Sequence, residues 1–259
     1  MAGDEKGEVL SVNILAVIQA RIDSTRLPGK ILERIDGEPA IFHTFRRVMA
    51  SQIQPMIVCP AKDRDRIFEA VKRPAPWRVF GWDGPEDDVL GRFRAAVDTT
   101  PENFPVEGII RLTGDCPWVD ISTLSLVAGF LSMGMPDFVT TNAVEGEPTL
   151  DGYDVEAFTR GLLVEAEEAT RVPAIHRTVR IKKDREHVTP WMRRNAKRPW
   201  VVHRLGPPDG RRWTLDTPED LEWFRAVAAE INVEPPEFPT YETLRALEER
   251  RPDLIRRNG

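Results

Sequence analysis

The 259-residue chain has only two cysteines, Cys59 and Cys116, which excludes a disulfide framework and a four-thiolate metal site. Its four histidines stand far apart and show no zinc-type spacing. No apolar run approaches the ~20 residues that a membrane-crossing helix needs. The mixed-charge start, Met1-Ala-Gly-Asp-Glu-Lys-Gly-Glu8, leads into no apolar segment of the secretory kind. A reduced, cytoplasmic setting is therefore expected, without membrane contact. Basic residues are not in excess, with 36 against 42 acidic and a net charge of −6, so general binding to nucleic acid is not the default expectation. Two common phosphate-binding signatures are missing too: neither Gly-x-x-x-x-Gly-Lys-Ser/Thr nor Gly-x-Gly-x-x-Gly occurs.

What is present is an alternation of strand and helix patterns. The length suits one large domain over residues 1–259, and 41% hydrophobic with 30% charged residues is ordinary for a globular enzyme. Short, β-branched runs predict strands at Val12–Ile18, Pro55–Cys59, Trp77–Phe80, Gly108–Thr113 and Phe138–Thr141. Between them, apolar residues at helical spacing predict helices over Pro39–Met49, Asp63–Val71, Asp87–Val97 and Ser122–Leu131. That rhythm implies a three-layer α/β/α fold around a mostly parallel sheet. After Thr141 the rhythm breaks. Residues 142–210 read as an insertion within the same domain, with a loop to Tyr153 and helices at Phe158–Ala169 and Asp184–Asn195. Strands are expected at Pro199–Leu205 and Arg212–Leu215, and helices at Pro218–Ile231 and Tyr241–Arg250.

Three segments carry chemistry. The first follows the opening strand: Gln19-Ala-Arg-Ile-Asp-Ser-Thr-Arg-Leu-Pro-Gly-Lys30 sets Arg21, Arg26 and Lys30 among small residues and backbone donors. Such a loop suits a polyanion, most simply a nucleoside triphosphate; an exposed basic turn is the plainer alternative. The second is Arg111-Leu-Thr-Gly-Asp-Cys-Pro117, which leaves Asp115 at the carboxyl edge of a strand, where open α/β sheets bind ligands. A carboxylate there can hold Mg²⁺ or simply satisfy a turn. The third is Trp213-Thr-Leu-Asp-Thr-Pro-Glu-Asp-Leu221. Here a helix cap explains Asp216 and Thr217 without further chemistry, while a second metal carboxylate is the sharper reading of Asp216.

Together with Leu150-Asp-Gly-Tyr-Asp-Val-Glu156 and Arg185-Glu-His-Val-Thr-Pro190, these segments occur in an order that resembles the cytidylyltransferase superfamily. The branch is the spore-coat polysaccharide type, similar to the CMP-nonulosonate and CMP-Kdo synthetases, and the resemblance runs from about Ile14 to Ala228. It implies a Rossmann-like, nucleotide-diphospho-sugar-transferase-like fold. It also implies Mg²⁺-dependent transfer of CMP from CTP to a small anionic acceptor, with pyrophosphate released, for cell-envelope glycan biosynthesis. The acceptor would be a sugar acid, a phosphosugar or another small phosphorylated compound. On matching positions, Gln19, Ala20, Arg21, Ser24, Arg26, Lys30, Arg92, Thr113 and Asp115 would contact the nucleotide. Lys30, Arg21, Asp115 and Asp216 would be catalytic, with Asp115 and Asp216 holding the metal. Asp154, Glu156, Glu186 and His187 would line the acceptor pocket, and a homodimer is expected. Where the family usually has a Thr-rich stretch, this chain has Cys59-Pro-Ala-Lys-Asp63.

Other readings stay open. One is a nucleotidyltransferase that uses a different nucleotide, and another is an inactive nucleotide-binding homologue. An RNA-binding module would use the basic stretch Arg177–Arg198, with Trp191 and Trp200, but a solvated helix face or a wall of an anionic substrate pocket is the favoured reading of that stretch. His43 reads as a packed or surface histidine and not a ligand, Cys116 as a small buried residue, and Trp191, Trp200, Trp213 and Trp223 as core or interface.

Overall fold

A computed structural model describes residues 12–141, 151–202, 211–231 and 240–255. In chain order the strands are β1 (Ile14–Gln19), β2 (Arg34–Ile35), β3 (Glu38–Pro39), β4 (Gln54–Pro60), β5 (Val79–Trp82), β6 (Gly108–Thr113), β7 (Phe138–Thr140), β8 (Glu156–Thr159) and β9 (Pro199–Val201). The α-helices are α1 (Ala40–Ala50), α2 (Arg64–Ala70), α3 (Val89–Asp98), α4 (Ile121–Ser132), α5 (Arg160–Thr170), α6 (Val179–His187), α7 (Pro190–Asn195), α8 (Pro218–Glu230) and α9 (Tyr241–Arg250).

Seven strands form the main sheet in the order β5-β4-β1-β6-β8-β7-β9, while β2 and β3 make a separate two-stranded hairpin. The β1–β4, β1–β6, β4–β5 and β7–β9 pairs are parallel, and β8 is antiparallel to both its neighbours. Only β8 is therefore reversed. From β1 the chain moves outward through β4 and β5, then returns to place β6 on the other side. This topological switch leaves the loops after β1 and β6 side by side at the carboxyl edge.

The continuous apolar runs are explained by burial on two faces. On β1, Ile14, Ala16 and Ile18 join a core with α1, α2 and α4, while Leu15 and Val17 face a second core built with α3, α5 and Met192 of α7. A third cluster beyond the sheet gathers Trp118, Tyr153, Trp213, Trp223 and Phe224 with residues of α9. In it, Trp118 meets Phe224 edge-on at 4.7 Å and Tyr153 meets Trp213 edge-on at 4.9 Å. Trp213 and Trp223 are core, as expected, but Trp200 is 45% exposed and stacks on Phe130. His43 is packed, its Nε2 2.7 Å from the Ile35 carbonyl.

The early half follows the expected order; the later half departs from it in three places. Residues at the start of the expected Phe158–Ala169 helix belong to β8, because Glu156 interrupts the apolar pattern yet is buried on arginine partners. The Asp184–Asn195 helix is two helices, α6 and α7, broken where Val188 takes φ 69° while its side chain enters the second core. Positive φ is unusual for a β-branched residue and is held here by burial. Arg212–Leu215 is no sheet strand; among the described residues it forms an isolated parallel bridge, Asp151 with Arg212. Within the expected insertion, β8 and β9 join the main sheet and α5 and α7 pack on its face. Most of the loop from Asn142, and residues 203–205 of the expected strand, lie outside the described residues.

Candidate active site

Three distant segments meet at the carboxyl edge. Lys30 enters from the loop after β1, where Gly29 at φ 73° starts a short 3-10 turn over Lys30–Leu32. That backbone region favours glycine. Asp115 follows β6. Asp216 is brought beside it by the Leu215 N–H, which donates to the Asp115 carbonyl at 2.8 Å. The same strap is stitched to residues 151–153: Trp213 N–H donates to the Asp151 carbonyl at 2.7 Å, and Asp151 N–H to the Arg211 carbonyl at 3.1 Å. Gly152 makes this approach possible, since a Cβ there would lie 2.3 Å from the Trp213 carbonyl oxygen.

The Lys30 ammonium donates to Asp115 Oδ2 and to Asp216 Oδ1, each at 2.7 Å. The other Asp216 oxygen, Oδ2, takes Arg26 and Arg212, both at 2.9 Å. Arg212 also reaches Asp220 Oδ2 at 3.0 Å, and that oxygen accepts the backbone N–H groups of Asp216 and Thr217. Thr217 caps α8 in a reciprocal capping box with Asp220. The cap reading and the convergence of Asp216 on Asp115 are thus both true. Burial alone would lower the Lys30 pKa, but the two carboxylates outweigh it and raise it. Burial pushes Asp115 upward, and Lys30 with the Thr113 hydroxyl more than reverses this.

A cavity of about 520 Å³ opens beside these groups, lined by Arg111, Leu112, Thr113, Asp115, Cys116, Asp151, Asp154, Glu156, His187, Thr189, Pro190, Arg193, Thr214 and Asp216. Glu156 is the hub of a second charge cluster. Its oxygens take Arg111 at 3.0 Å, Arg193 at 2.8 Å and the Thr189 hydroxyl at 2.8 Å, with the side chain 3% exposed. Burial, then the charges of Asp151 and Glu156, push Asp154 up to about 7. Burial also raises Asp151, with Asp115 and Asp216 adding to the rise against Arg212. Cys116 is half-buried and lines the cavity instead of being buried as expected, because it follows Asp115 at the carboxyl edge; 3.1 Å from Thr113 Oγ1, its thiol is pushed well above the ordinary value by desolvation and by Asp115, which does not suit a nucleophile.

Of the residues expected in the site, the structure brings Lys30, Arg26, Asp115 and Asp216 into one cluster and Thr113, Asp154, Glu156 and His187 to the adjoining cavity. Gln19 accepts from Arg111 at 3.4 Å, and the Ala20 N–H is used by the Val58 carbonyl. Arg21 is exposed and Ser24 half-buried on the loop. Arg92 is buried, donating to the Glu86 carbonyl at 2.8 Å; burial lowers its pKa, with the charges of Glu86, Arg21 and Asp63 acting on it. Glu186 is exposed and is not among the cavity-lining residues, because the α6 helix turns it outward. Its neighbour Arg185 is buried in a bidentate pair with Asp88, at 2.9 and 2.8 Å, the residue that caps α3. Asp151, Arg111 and Arg212 stand outside the expected site, and Arg193 is expected only as part of the basic stretch read as a pocket wall. A signal existed for Arg111: it stands two residues before Thr113 on one strand, so both face the same side.

In the basic stretch Arg177–Arg198, Arg177 and Arg185 are held on Asp88, Arg193 on Glu156 and Arg194 on Asp184, while Arg180, Lys182, Lys183, Lys197 and Arg198 are exposed. For a divalent cation, the described residues contain no cluster of three or more acidic, histidine or cysteine ligands. Two carboxylates converging on one point do fit a hard ion such as Mg²⁺, which commonly takes one or two acids and completes its shell with substrate phosphates and water.

Comparison with known proteins gives the family. The profile of the family described as Cytidylyltransferase matches residues 15–254. The spore coat polysaccharide biosynthesis protein SpsF of Bacillus subtilis (strain 168) is 31% identical over 226 residues, covering 83% of this chain and 86% of that protein. Among solved structures, a cytidylyltransferase from Leptospira borgpetersenii serovar Hardjo-bovis superposes with a TM-score of 0.78 at 24% identity, covering 96% of this chain and 98% of the other. The CMP:2-keto-3-deoxy-manno-octonic acid synthetase complexed with CTP gives a TM-score of 0.57 at 20% identity, covering 84% and 99%. The two superpositions speak for the fold, a Rossmann-like nucleotidyltransferase sheet. With the profile spanning nearly the whole chain and SpsF aligned over most of both proteins, the chain belongs to the cytidylyltransferase family.

Proposed function

We propose that the protein transfers CMP from CTP to a small anionic acceptor and releases pyrophosphate. The observation that carries this reading is the meeting of Lys30, Arg26, Asp115 and Asp216 beside a cavity large enough for a sugar-sized molecule. In-line attack on the α-phosphorus needs positioning and charge neutralisation rather than a covalent nucleophile. In this reading Arg21, Ser24, Arg26 and Lys30 bind the triphosphate and balance the charge that grows on the departing pyrophosphate. Asp115 and Asp216 would hold Mg²⁺, which supplies Lewis-acid neutralisation of phosphate oxygens when bound. Asp220 and Arg212 hold Asp216 in place.

On the acceptor side, Glu156 holds the Arg111 and Arg193 guanidiniums against the cavity, where they can meet a carboxylate or phosphate. Asp151 and Asp154 face the hydroxyl groups of the same acceptor. Gln19, Ala20, Arg92 and Thr113 complete the nucleotide side. The relative SpsF, named for spore-coat polysaccharide biosynthesis, supports a place in cell-envelope glycan synthesis. A cytoplasmic homodimer suits that role.

The test is a thermal-shift screen against CTP, UTP, GTP, ATP and dTTP with and without Mg²⁺, followed by pyrophosphate release with candidate sugar acids and phosphosugars. A ligand at about a hundred times its Kd adds roughly 2.7 kcal/mol of apparent stability. A selective, metal-dependent shift with CTP is expected. A shift with another nucleotide alone would overturn the donor and keep the chemistry.

A further inference from the structure

Lys30 occupies the point on which both candidate metal carboxylates converge. Its ammonium lies 2.7 Å from Asp115 Oδ2 and 2.7 Å from Asp216 Oδ1. The remaining Asp216 oxygen is taken by Arg26 and Arg212. Lys30 is largely buried, its side chain 11% exposed, so its charge is compensated by these two acids and little by water. A divalent ion bound between the same two oxygens would sit against the ammonium, and two cations cannot share that space. Metal and Lys30 are therefore alternatives at this carboxylate pair. Two of the competing cations, Lys30 and Arg26, also belong to the loop read above as the triphosphate binder, whereas Arg212 is anchored on Asp220.

We propose that Lys30 is a place-holding cation: it keeps Asp115 and Asp216 paired until a triphosphate draws it, with Arg26, off the carboxylates and a divalent ion takes its place. The inference rests on the reading of Asp115 and Asp216 as metal carboxylates and adds how the site is loaded. It makes metal and nucleotide binding mutually dependent. By linkage, whatever nucleotide does for the affinity of the metal, metal does equally for the nucleotide. It also means that the protein by itself binds divalent ions weakly although its two acids already converge, so the metal–nucleotide complex is the species that loads.

The experiment is a titration of the purified protein with Mn²⁺ alone, no nucleotide present, following free Mn²⁺ by electron paramagnetic resonance. Wild type and Lys30→Arg, which keeps the charge, are expected to bind weakly. Lys30→Met is expected to bind about tenfold or more tightly, and adding Asp216→Asn to it should abolish the gain. Lys30→Gln, which keeps a hydrogen-bond donor between the acids, serves beside it. If Lys30→Met is unfolded without metal, its far-UV circular dichroism should recover at Mn²⁺ concentrations that leave the wild-type Tm unmoved; failure to recover overturns the proposal. Equal affinity in wild type, Lys30→Met and Lys30→Gln overturns the place-holder and leaves the metal carboxylates standing. No binding in any variant overturns both. The measurement contains no CTP, so the identity of the nucleotide donor does not enter the result.

Discussion

The two charge clusters at the cavity are built on opposite plans. Around Asp115 and Asp216 every acid has cations against it, three of them on Asp216 alone. Around Asp154 the acids outweigh the cations: Asp151 and Glu156 press on it, and Arg111 and Arg193 are already engaged by Glu156. The first cluster can exchange partners without leaving a bare charge, as binding a polyanion with its metal demands. The second sets the Asp151 and Asp154 carboxyls beside the two guanidiniums held by Glu156, as recognition of an anionic polyhydroxyl molecule demands. One cavity thus has a wall suited to charge exchange and a wall suited to hydrogen bonding.

The contrast breaks most sharply at the first cluster. Asp115→Ala and Asp216→Ala should each lower pyrophosphate release by about 10²–10³-fold or more, with the circular dichroism spectrum retained; near-normal turnover in either would remove that residue from the reaction. Next in size is a pair that belongs to neither wall. Arg185→Met leaves the buried Asp88 carboxylate at the start of α3 with only the longer Arg177 contact, at 3.5 Å, as its ion pair, and urea unfolding should show a loss of about 3 kcal/mol. A loss well under 1 kcal/mol would mean that the pair holds nothing together.

Asp154 gives a smaller effect with a defined sign. Between its ordinary value and about 7, the folded protein keeps a proton on Asp154 that the unfolded chain has released. Wild-type stability should therefore fall as pH rises through that window, and the deficit should persist above it. Asp154→Asn removes this dependence. With a discount for partial exposure, it should be about 1–2 kcal/mol more stable than wild type at about pH 8 and nearly equal to it at about pH 4. Parallel melting curves at the two pH values check it, and equal slopes for both proteins would refute it. The smallest effect belongs to Glu186→Ala: the residue is exposed away from the cavity, so stability should stay within about 0.5 kcal/mol and KM for the acceptor should be unchanged. A raised KM would return Glu186 to the acceptor wall.

Legibility in the sequence follows the physics of each wall. β1, β4 and β6 are buried on both faces, so their runs of β-branched residues stand out, and the loops that leave them carry Lys30 and Asp115. The acceptor wall lies where a sequence pattern misleads. In β8 a buried glutamate breaks the apolar run because its partners come from β6 and α7, 45 and 37 residues away. The break between α6 and α7 is announced by Pro190, at the first turn of α7, a signal that the helical pattern over Asp184–Asn195 masked; tertiary burial fixes the backbone at Val188 and sets Thr189 on Glu156. Asp216 was readable both as a cap neighbour and as a metal acid. The Leu215–Asp115 backbone bond, 100 residues apart in sequence, sets the same cap neighbour beside Asp115.

The single reversed strand has an evolutionary consequence. A strand parallel to its neighbours offers the ligand edge the loop that leaves it, but β8 runs the other way, so the loop that enters it, from Asp151 to Val155, is turned toward the substrate. Of the acceptor contacts proposed above, all but Arg111 sit on one continuous stretch, 151–193, separate from the loops at Lys30, Asp115 and Asp216. Such a division lets acceptor preference drift, or be transplanted between relatives as one cassette, while the donor chemistry is inherited intact.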